Sequence, residues 1–233
     1  MIAISKPVLQ HLYGDLGVPL NKIHLIANGV DLNRFVIVSE DQRRLARQEM
    51  KIGDIPLIGI IARLSDVKGI DILIRAMPLI VKEIPTANLI IAGQGPQEVN
   101  LKKLTQDLSL TSYIHFKDTI NQTQSLLAAF DVFVMPSLME GLGLSVMEAQ
   151  ACGVPVVASK VGGLIDLIDD GKTGFLVAAN DPAILANRIV EILRDSKQSK
   201  LMAQQARLNI EQHFSAEIMF QLTLKVYEQY SSC

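Results

Sequence analysis

The sequence predicts an α/β fold, a doubly wound parallel Rossmann-like sheet followed by C-terminal helices. From about residue 52 to residue 195, short runs rich in β-branched residues alternate with helical stretches. The runs are uniformly apolar, which is typical of strands covered on both faces. Strands that alternate with helices predict right-handed crossovers and a parallel sheet. Because ligands of such sheets bind at the carboxyl ends of the strands, the residues that follow each strand are the candidate site.

Six strands and the helices between them are predicted in chain order. The strands lie at residues 57–62, 88–92, 113–116, 131–135, 154–158 and 174–177. Helices are predicted at 70–83, through 101–106, up to about 129 and at 144–151. Consecutive helices then follow from 182 to 230, with breaks near Ser196 and Phe214.

The first 53 residues are organised differently from the main domain. Residues 2–35 predict a short strand, a helix that closes at Gly14 or Gly17, and a second strand at 22–27. This unit is too small to bury a core of its own. Residues 35–53 are a polar connection that contains a basic helix from Asp41 to Met50.

Composition excludes several classes of protein. The 233 residues include 22 basic and 24 acidic residues, a formal net charge of −2, so we expect no nucleic-acid partner. The two cysteines, Cys152 and Cys233, suit a reducing cytoplasm better than a disulfide framework. No apolar run approaches the length of a membrane span, although a peripheral membrane contact through an exposed helix stays open. No cluster has metal-ligand spacing, so neither a metal nor another cofactor is expected.

The most informative segment runs from Ser137 to Ala149 and contains two glutamates. It follows the strand at 131–135, and Gly143 allows an open turn before the helix at 144–151. The first N–H groups of that helix and its dipole favour a phosphate. Glu140 before the turn and Glu148 one helical turn beyond its start could flank the same ligand. The plain alternative is a glycine-rich turn with two solvated glutamates.

Three further post-strand turns carry glycines or basic residues. Arg63 and Lys68 lie on one loop and can converge on a diphosphate, although two basic residues on a loop are also a common solvated surface. Gly93 and Gly95 follow the next strand, and Gly162 and Gly163 follow a later one. Four such turns at one edge of a sheet favour a shared ligand-binding rim.

At these residues the sequence resembles the family-4, or group 1, retaining glycosyltransferases. The resemblance covers nearly the whole chain in the family's order. It rests on Asn28-Gly-Val-Asp31 with Phe35, Gly59-Ile-Ile-Ala-Arg63 with Lys68-Gly69, Ala92-Gly-Gln-Gly-Pro96, Met135-Pro-Ser-Leu-Met-Glu140-Gly-Leu-Gly-Leu with Glu148-Ala149, Gly153-Val-Pro-Val-Val-Ala-Ser159, Val161-Gly-Gly163 and Asp170-Gly-Lys-Thr-Gly-Phe175. It implies the C-terminal, donor-binding half of the two-domain GT-B architecture.

The resemblance also implies roles for individual residues toward a nucleoside-diphosphate sugar. Arg63 and Lys68 would hold the donor diphosphate and stabilise it as it leaves, without a metal. Glu140 would contact hydroxyls of the donor sugar near the reacting carbon, and Glu148 would bind the ribose. The remaining donor-binding positions are backbone groups and small residues at the turns, namely Gly93, Gly95, Gly143, Leu144 and Ser145. Leu142, where the family usually has Phe, and Asp166, where it usually has Glu, depart from the pattern mildly.

The resemblance divides the chain into four parts. Residues 1–35 would be a remnant of the N-terminal acceptor-side domain, 36–51 a linker, 52–214 the nucleotide-sugar-binding domain and 215–233 a helix that crosses back. We therefore expect a cut piece, a truncated gene product or a subunit whose partner chain supplies the acceptor domain, with little transfer on its own. The implied activity is hexosyl transfer with retention, in polysaccharide or glycolipid biosynthesis. The alternatives are a non-catalytic nucleotide-sugar-binding subunit, or a phosphorylase or epimerase of the same architecture.

Overall fold

A computed structural model describes residues 1–118 and 123–231. Its main sheet has six parallel strands, which are β3 Leu57–Ile61, β4 Asn88–Ala92, β5 Ile114–Lys117, β6 Val132–Met135, β7 Val156–Ser159 and β8 Phe175–Val177. Their order across the sheet is β5-β4-β3-β6-β7-β8. The order reverses between β3 and β6, so the topological switch point lies between these two central strands.

Helices cover both faces of this sheet, which confirms the doubly wound α/β prediction. The core splits into two apolar clusters, one on each face of the strands. The first face is covered by α3 Ile70–Glu83, α4 Glu98–Asp107 and α8 Pro182–Arg194, and the second by α5 Thr123–Ala129, α6 Leu144–Ala151 and α7 Leu164–Leu167. The last two helices, α9 Ser196–His213 and α10 Ala216–Ser231, follow with the predicted breaks.

A small N-terminal unit packs beside the main domain. It consists of β1 Ile2–Ala3, α1 Lys6–Gln10 and β2 His24–Leu25, and β1 and β2 form a parallel pair. The segment after this unit contacts the C-terminal part of the chain, where Val30 pairs with Ser215 in a parallel bridge. A Cβ on Gly29 would lie 2.4 Å from the Ser215 carbonyl oxygen, so the two segments touch through their backbones.

Two predicted strands, at 22–27 and 154–158, differ from the structure by two residues at one or both ends. The strand predicted at 22–27 is only His24–Leu25, because Leu20–Lys22 form a turn of 3-10 helix directly before it. Of the two predicted ends of the first helix, Gly14 and Gly17, the structure has the second, because a wider π-helical turn at His11–Asp15 carries the chain through to Gly17, which has a φ of +67°. The strand predicted from 154 begins at Val156, since Val154 donates back to the Ala149 carbonyl at the end of α6.

The basic helix predicted at 41–50 is α2, Glu40–Glu49, which is fixed to the sheet through Asp131. Arg47 has a side chain that is only 8% exposed, and its guanidinium lies 2.6 Å from Asp131 Oδ2. The same oxygen accepts the Leu57 amide at 2.7 Å, and Arg43 donates to the other oxygen. One carboxylate therefore ties α2 to the amino ends of β3 and β6. The division of the chain at 36–51 and 52–214 stays a prediction.

Other features of the described residues complete the fold. Cys152 is buried, and burial raises the pKa of its thiol to about 12, whereas Cys233 lies outside the described residues. His115 lies on the edge strand β5 and contacts the Asn88 side chain at 2.8 Å. Among residues 1–118 and 123–231, no helix is both long and apolar enough to cross a membrane.

We predict that Asp131→Ala lowers the free energy of unfolding by about 3 kcal/mol. It removes the carboxylate 2.6 Å from the buried Arg47 and leaves that guanidinium with the exposed Asp54 at 3.7 Å. Urea denaturation would measure the loss. The matched control is Asp107→Ala, which breaks an exposed ion pair with Lys103 within α4 and should leave the midpoint unchanged. Equal midpoints for the two variants would contradict the anchoring role of Asp131.

Candidate functional site

The loops that follow β4, β3, β6 and β7 are joined to one another, and to the last residue of β8, along the carboxyl edge of the sheet. Each junction is a backbone hydrogen bond, so the edge is a continuous rim rather than a row of separate turns. The bonds run from Leu64 N to Gln94 O (3.0 Å), from Leu138 N to Val67 O (2.8 Å), from Gly163 N to Glu140 O (3.0 Å) and from Lys160 N to Val177 O (2.7 Å).

The glycines of the rim are required by this close contact. A Cβ on Gly93 would lie 1.9 Å from the Ala62 carbonyl oxygen, and one on Gly95 would lie 2.2 Å from the Leu64 carbonyl oxygen. Gly69 meets Pro136 O and Gly162 meets Glu140 O in the same way, at 2.1 and 1.8 Å. The structure therefore gives Gly93 and Gly95 a packing role, which sequence reasoning had not considered beside the predicted ligand contact.

Lys68 and Glu140 are brought together by the junction between the loops after β3 and β6. Lys68 ends a turn of 3-10 helix, Asp66–Lys68, and its Nζ lies 2.6 Å from Glu140 Oε2. Both side chains are largely shielded, at 22% and 12% exposure. Ser137, fully buried at the end of β6, lies with its Oγ 3.4 Å from the same oxygen. Glu140 thus faces a cation and a hydroxyl at the switch point.

The N-terminus of α6 opens beside this pair. Gly143 is the residue before the helix, with a φ of +101°, and no side chain caps the helix there. Within the described residues, the N–H groups of Gly143, Leu144 and Ser145 have no hydrogen-bond acceptor. Leu144 is exposed and Ser145 is half-buried. Three free donors at the positive end of a helix dipole form a binding place for an anion.

Glu148 is half-buried on the second turn of α6. Burial raises the pKa of its carboxyl above the ordinary value of 4.5, and the nearby charge of Arg34 acts in the opposite direction. Sequence reasoning missed Arg34, an exposed residue between Asp31 and Phe35 that belongs to no recognisable motif. Ser137 was missed as well, although its place directly after a buried strand could have indicated it.

Arg63, the other predicted basic residue, is exposed on the loop after β3. Among the described residues its guanidinium makes no ion pair, whereas the ammonium group of Lys68 is paired with Glu140. The structure therefore brings Lys68 and Glu140 into contact and leaves Arg63 at the open side of the rim. A group of three or more His, Cys, Asp or Glu that could hold a metal ion is not found in residues 1–118 and 123–231.

The two departures from the family pattern have structural explanations. Leu142 is 2% exposed and contributes to the core beneath the rim. Asp166 accepts the Lys6 amide at 2.6 Å and so attaches the start of α1 to α7.

A cavity of about 580 Å³ lies at the opposite edge of the sheet. Its lining includes Pro56, Asp131 and Pro155, which precede β3, β6 and β7, together with Arg43 and Arg47. These two arginines are already occupied by the Asp131 network. Since the free helix N-terminus and the Lys68–Glu140 pair are at the other edge, the candidate site is the rim and not this cavity.

Known proteins are similar to this chain over most of its length. A GDP-mannose-dependent monoacylated alpha-(1-6)-phosphatidylinositol monomannoside mannosyltransferase of Corynebacterium glutamicum is 34% identical over 228 residues, which is 93% of this chain and 58% of that protein. The D-inositol 3-phosphate glycosyltransferase of Streptomyces avermitilis is 34% identical over 219 residues, or 89% of this chain and 46% of that protein. The chain therefore spans about half the length of these relatives.

Solved structures show the same fold. Anabaena HepE in complex with UDP and glucose superimposes on all of this chain and 62% of that one, with a TM-score of 0.89 and 27% identity. The C-terminal domain of a glycosyl transferase group 1 family protein (LpcC) from Francisella tularensis matches 80% of this chain and 99% of that domain, with a TM-score of 0.73 and 27% identity. The fold is thus the Rossmann-like C-terminal domain of the GT-B architecture.

The family model for glycosyl transferases group 1 matches residues 27–209, a stretch that includes the whole rim. This chain belongs to the glycosyl transferases of group 1.

Proposed function

We propose that this chain supplies the donor site of a retaining hexosyltransferase that uses a nucleoside-diphosphate sugar. The observation that carries the proposal is the meeting of the Lys68–Glu140 pair with the free N-terminus of α6 at the switch point of the sheet. Relatives support the donor class, because one is described as GDP-mannose-dependent and another was solved with UDP and glucose. The nucleotide is GDP in the first description and UDP in the second, so the base used by this chain has to be found by experiment. The same holds for the acceptor.

The free N–H groups of Gly143, Leu144 and Ser145 would receive the distal phosphate of the donor. Lys68 and Arg63 would complete the diphosphate site from the facing loop, and their positive charges would stabilise the diphosphate as it leaves. Fixed donors in a partly shielded site act more strongly than the same groups in water, because the protein has already oriented them.

The two glutamates would divide the hydroxyls of the donor between them. Glu148, on the second turn of α6, would accept hydrogen bonds from the ribose. Glu140 would accept them from the sugar near the reacting carbon, where Lys68 and Ser137 already hold its carboxylate. The acceptor site, catalysis without a metal or other cofactor, and a partner domain or chain are proposals drawn from the family resemblance. A location in the cytoplasm is a proposal drawn from the cysteine usage.

We expect one class of nucleotide to stabilise this chain against heat. UDP, GDP and ADP, each with its sugar conjugate, would be compared in thermal-unfolding scans. A ligand at 100 times its dissociation constant adds about 2.7 kcal/mol, which corresponds to a midpoint rise of roughly 5–10 °C in a domain of this size. The rise should vanish in Glu148→Ala and persist in Glu191→Ala, a control on α8 whose carboxylate pairs with Arg188. No rise with any nucleotide would contradict the proposed donor site.

Lys68→Met should weaken the diphosphate contact selectively. Loss of one charge-assisted hydrogen bond lowers the affinity for a nucleoside diphosphate about tenfold, whereas affinity for the free nucleoside should not change. Isothermal titration with UDP and uridine, or with GDP and guanosine, measures both. Lys103→Met, which removes an exposed lysine of α4, is the control. An equal loss for nucleoside and diphosphate would place Lys68 outside the phosphate site.

Retention of configuration is tested by the product. With a nucleotide sugar and a simple alcohol in excess, any glycoside formed should have the same anomeric configuration as the donor, as judged from its proton NMR coupling. Glu140→Gln should abolish glycoside formation while nucleotide binding persists, because Glu140 is assigned to the sugar and not to the nucleotide. An inverted product would refute retention.

A further inference from the structure

The Glu140 carboxylate accepts both of its side-chain hydrogen bonds on the same oxygen. Lys68 Nζ lies 2.6 Å from Oε2, and the Ser137 hydroxyl oxygen lies 3.4 Å from that atom. Among residues 1–118 and 123–231, no group donates to Oε1. The carboxylate therefore has one oxygen bound to the protein and one oxygen without a donor.

Ser137 is held in the position from which it makes this contact. It is the second residue after β6 and is fully buried. The amide of the next residue, Leu138, donates to the Val67 carbonyl at 2.8 Å. The Glu140 carbonyl accepts the Gly163 amide at 3.0 Å. Because the main chain is fixed on both sides, the turn between Ser137 and Glu140 returns the carboxylate to the hydroxyl.

The Ser137 hydroxyl has no other acceptor in the part of the chain that the structure describes. A hydroxyl has one proton to donate, and a buried hydroxyl without a hydrogen bond costs free energy. Glu140 Oε2 is the atom that satisfies it. The contact is long while Lys68 occupies the same oxygen, and it can shorten when the lysine moves away.

Lys68 and Ser137 differ in what a bound donor would require of them. Lys68 is partly exposed and carries the positive charge that is assigned to the diphosphate. Ser137 has no exposed surface and no charge. When the lysine turns toward the phosphates, the hydroxyl therefore stays with Glu140.

We propose that Ser137 is a positioning residue of the sugar site, whose hydroxyl keeps Glu140 Oε2 turned into the protein so that Oε1 faces the donor sugar. This inference rests on the proposed role of Glu140 toward the sugar. Without the hydroxyl the carboxylate is free to rotate, and fixing it again on binding costs affinity. The nucleotide does not contact Glu140 in this arrangement, so its own binding does not depend on Ser137.

The first test needs no ligand. Thermal midpoints would be measured for the wild type, Ser137→Ala, Glu140→Ala and the double variant. Ser137→Ala should lower the midpoint by roughly 2–4 °C, as expected for the loss of one hydrogen bond in a chain of this size. In the Glu140→Ala background the lowering should disappear, because the hydroxyl no longer has an acceptor.

Ser199→Ala is the matched control for this test. Ser199 is a buried serine of α9, 8% exposed, and its hydroxyl donates to the Ile192 carbonyl at 2.7 Å. Its substitution also removes a buried hydrogen bond, but one that does not involve the rim. The effects of Ser199→Ala and Glu140→Ala on the midpoint should therefore add.

The second test compares each nucleoside diphosphate with its sugar conjugate. Isothermal titration would give the dissociation constants of UDP, UDP-glucose, GDP and GDP-mannose. The ratio of the constant for the sugar conjugate to that for the diphosphate should rise about fivefold in Ser137→Ala. It should not change in Ser199→Ala, and Ser137→Thr, which keeps the hydroxyl, should return it to near the wild-type value. A purely structural effect would weaken both ligands equally.

The outcomes separate this inference from the proposed function. Additive midpoint changes for Ser137→Ala and Glu140→Ala overturn the positioning role, and so does an unchanged ratio in Ser137→Ala. If the two residues are coupled but the wild type binds none of the four nucleotides, the donor-site proposal fails instead. The hydrogen bond between Ser137 and Glu140 then stands as part of the fold alone.

Discussion

The site depends on direct backbone contact between loops that follow neighbouring strands. A parallel sheet brings its carboxyl ends to one edge, but by itself it leaves the loops there free to diverge. In this protein the loops are hydrogen-bonded to one another, and glycines such as Gly69 and Gly162 leave the space that a Cβ would fill. Because these bonds join main chains, they fix the positions of the side chains that the loops carry relative to the sheet. Lys68 and Glu140, 72 residues apart in sequence, meet for this reason.

The opposite edge of the sheet is organised by charge instead. At the amino ends of the central strands, the Asp131 carboxylate accepts hydrogen bonds from two arginines of α2 and from the first amide of β3. The N-terminal unit is attached by the backbone bridge between Val30 and Ser215. Shortly after Val30 the same segment carries Arg34, whose charge acts on the Glu148 carboxyl.

The fold was largely predictable from the sequence, because uninterrupted apolar runs specify buried strands and their helical partners follow at regular spacing. The helices Ile70–Glu83 and Leu144–Ala151 began and ended as predicted. The site was predictable only in part. That Lys68 and Glu140 lie at the same edge follows from topology, but their contact depends on loop geometry that no local pattern records. Gly93 and Gly95 suggested a ligand because a glycine that lets a ligand approach the backbone looks the same in a sequence as one that lets two loops pack closely. Asp131 looked like an ordinary strand start, although its carboxylate binds both arginines of α2.

The Lys68–Glu140 pair also has a consequence for selectivity. Without a ligand the two charges neutralise each other, and each satisfies a largely shielded partner. An incoming anion that draws the lysine away leaves the carboxylate uncompensated, which is costly unless new donors reach it at the same moment. A bare phosphate offers no such donors, whereas a molecule with an anion at one end and hydroxyls at the other replaces both partners. In the proposed donor site, the pair would therefore favour ligands that carry both an anionic group and hydroxyls.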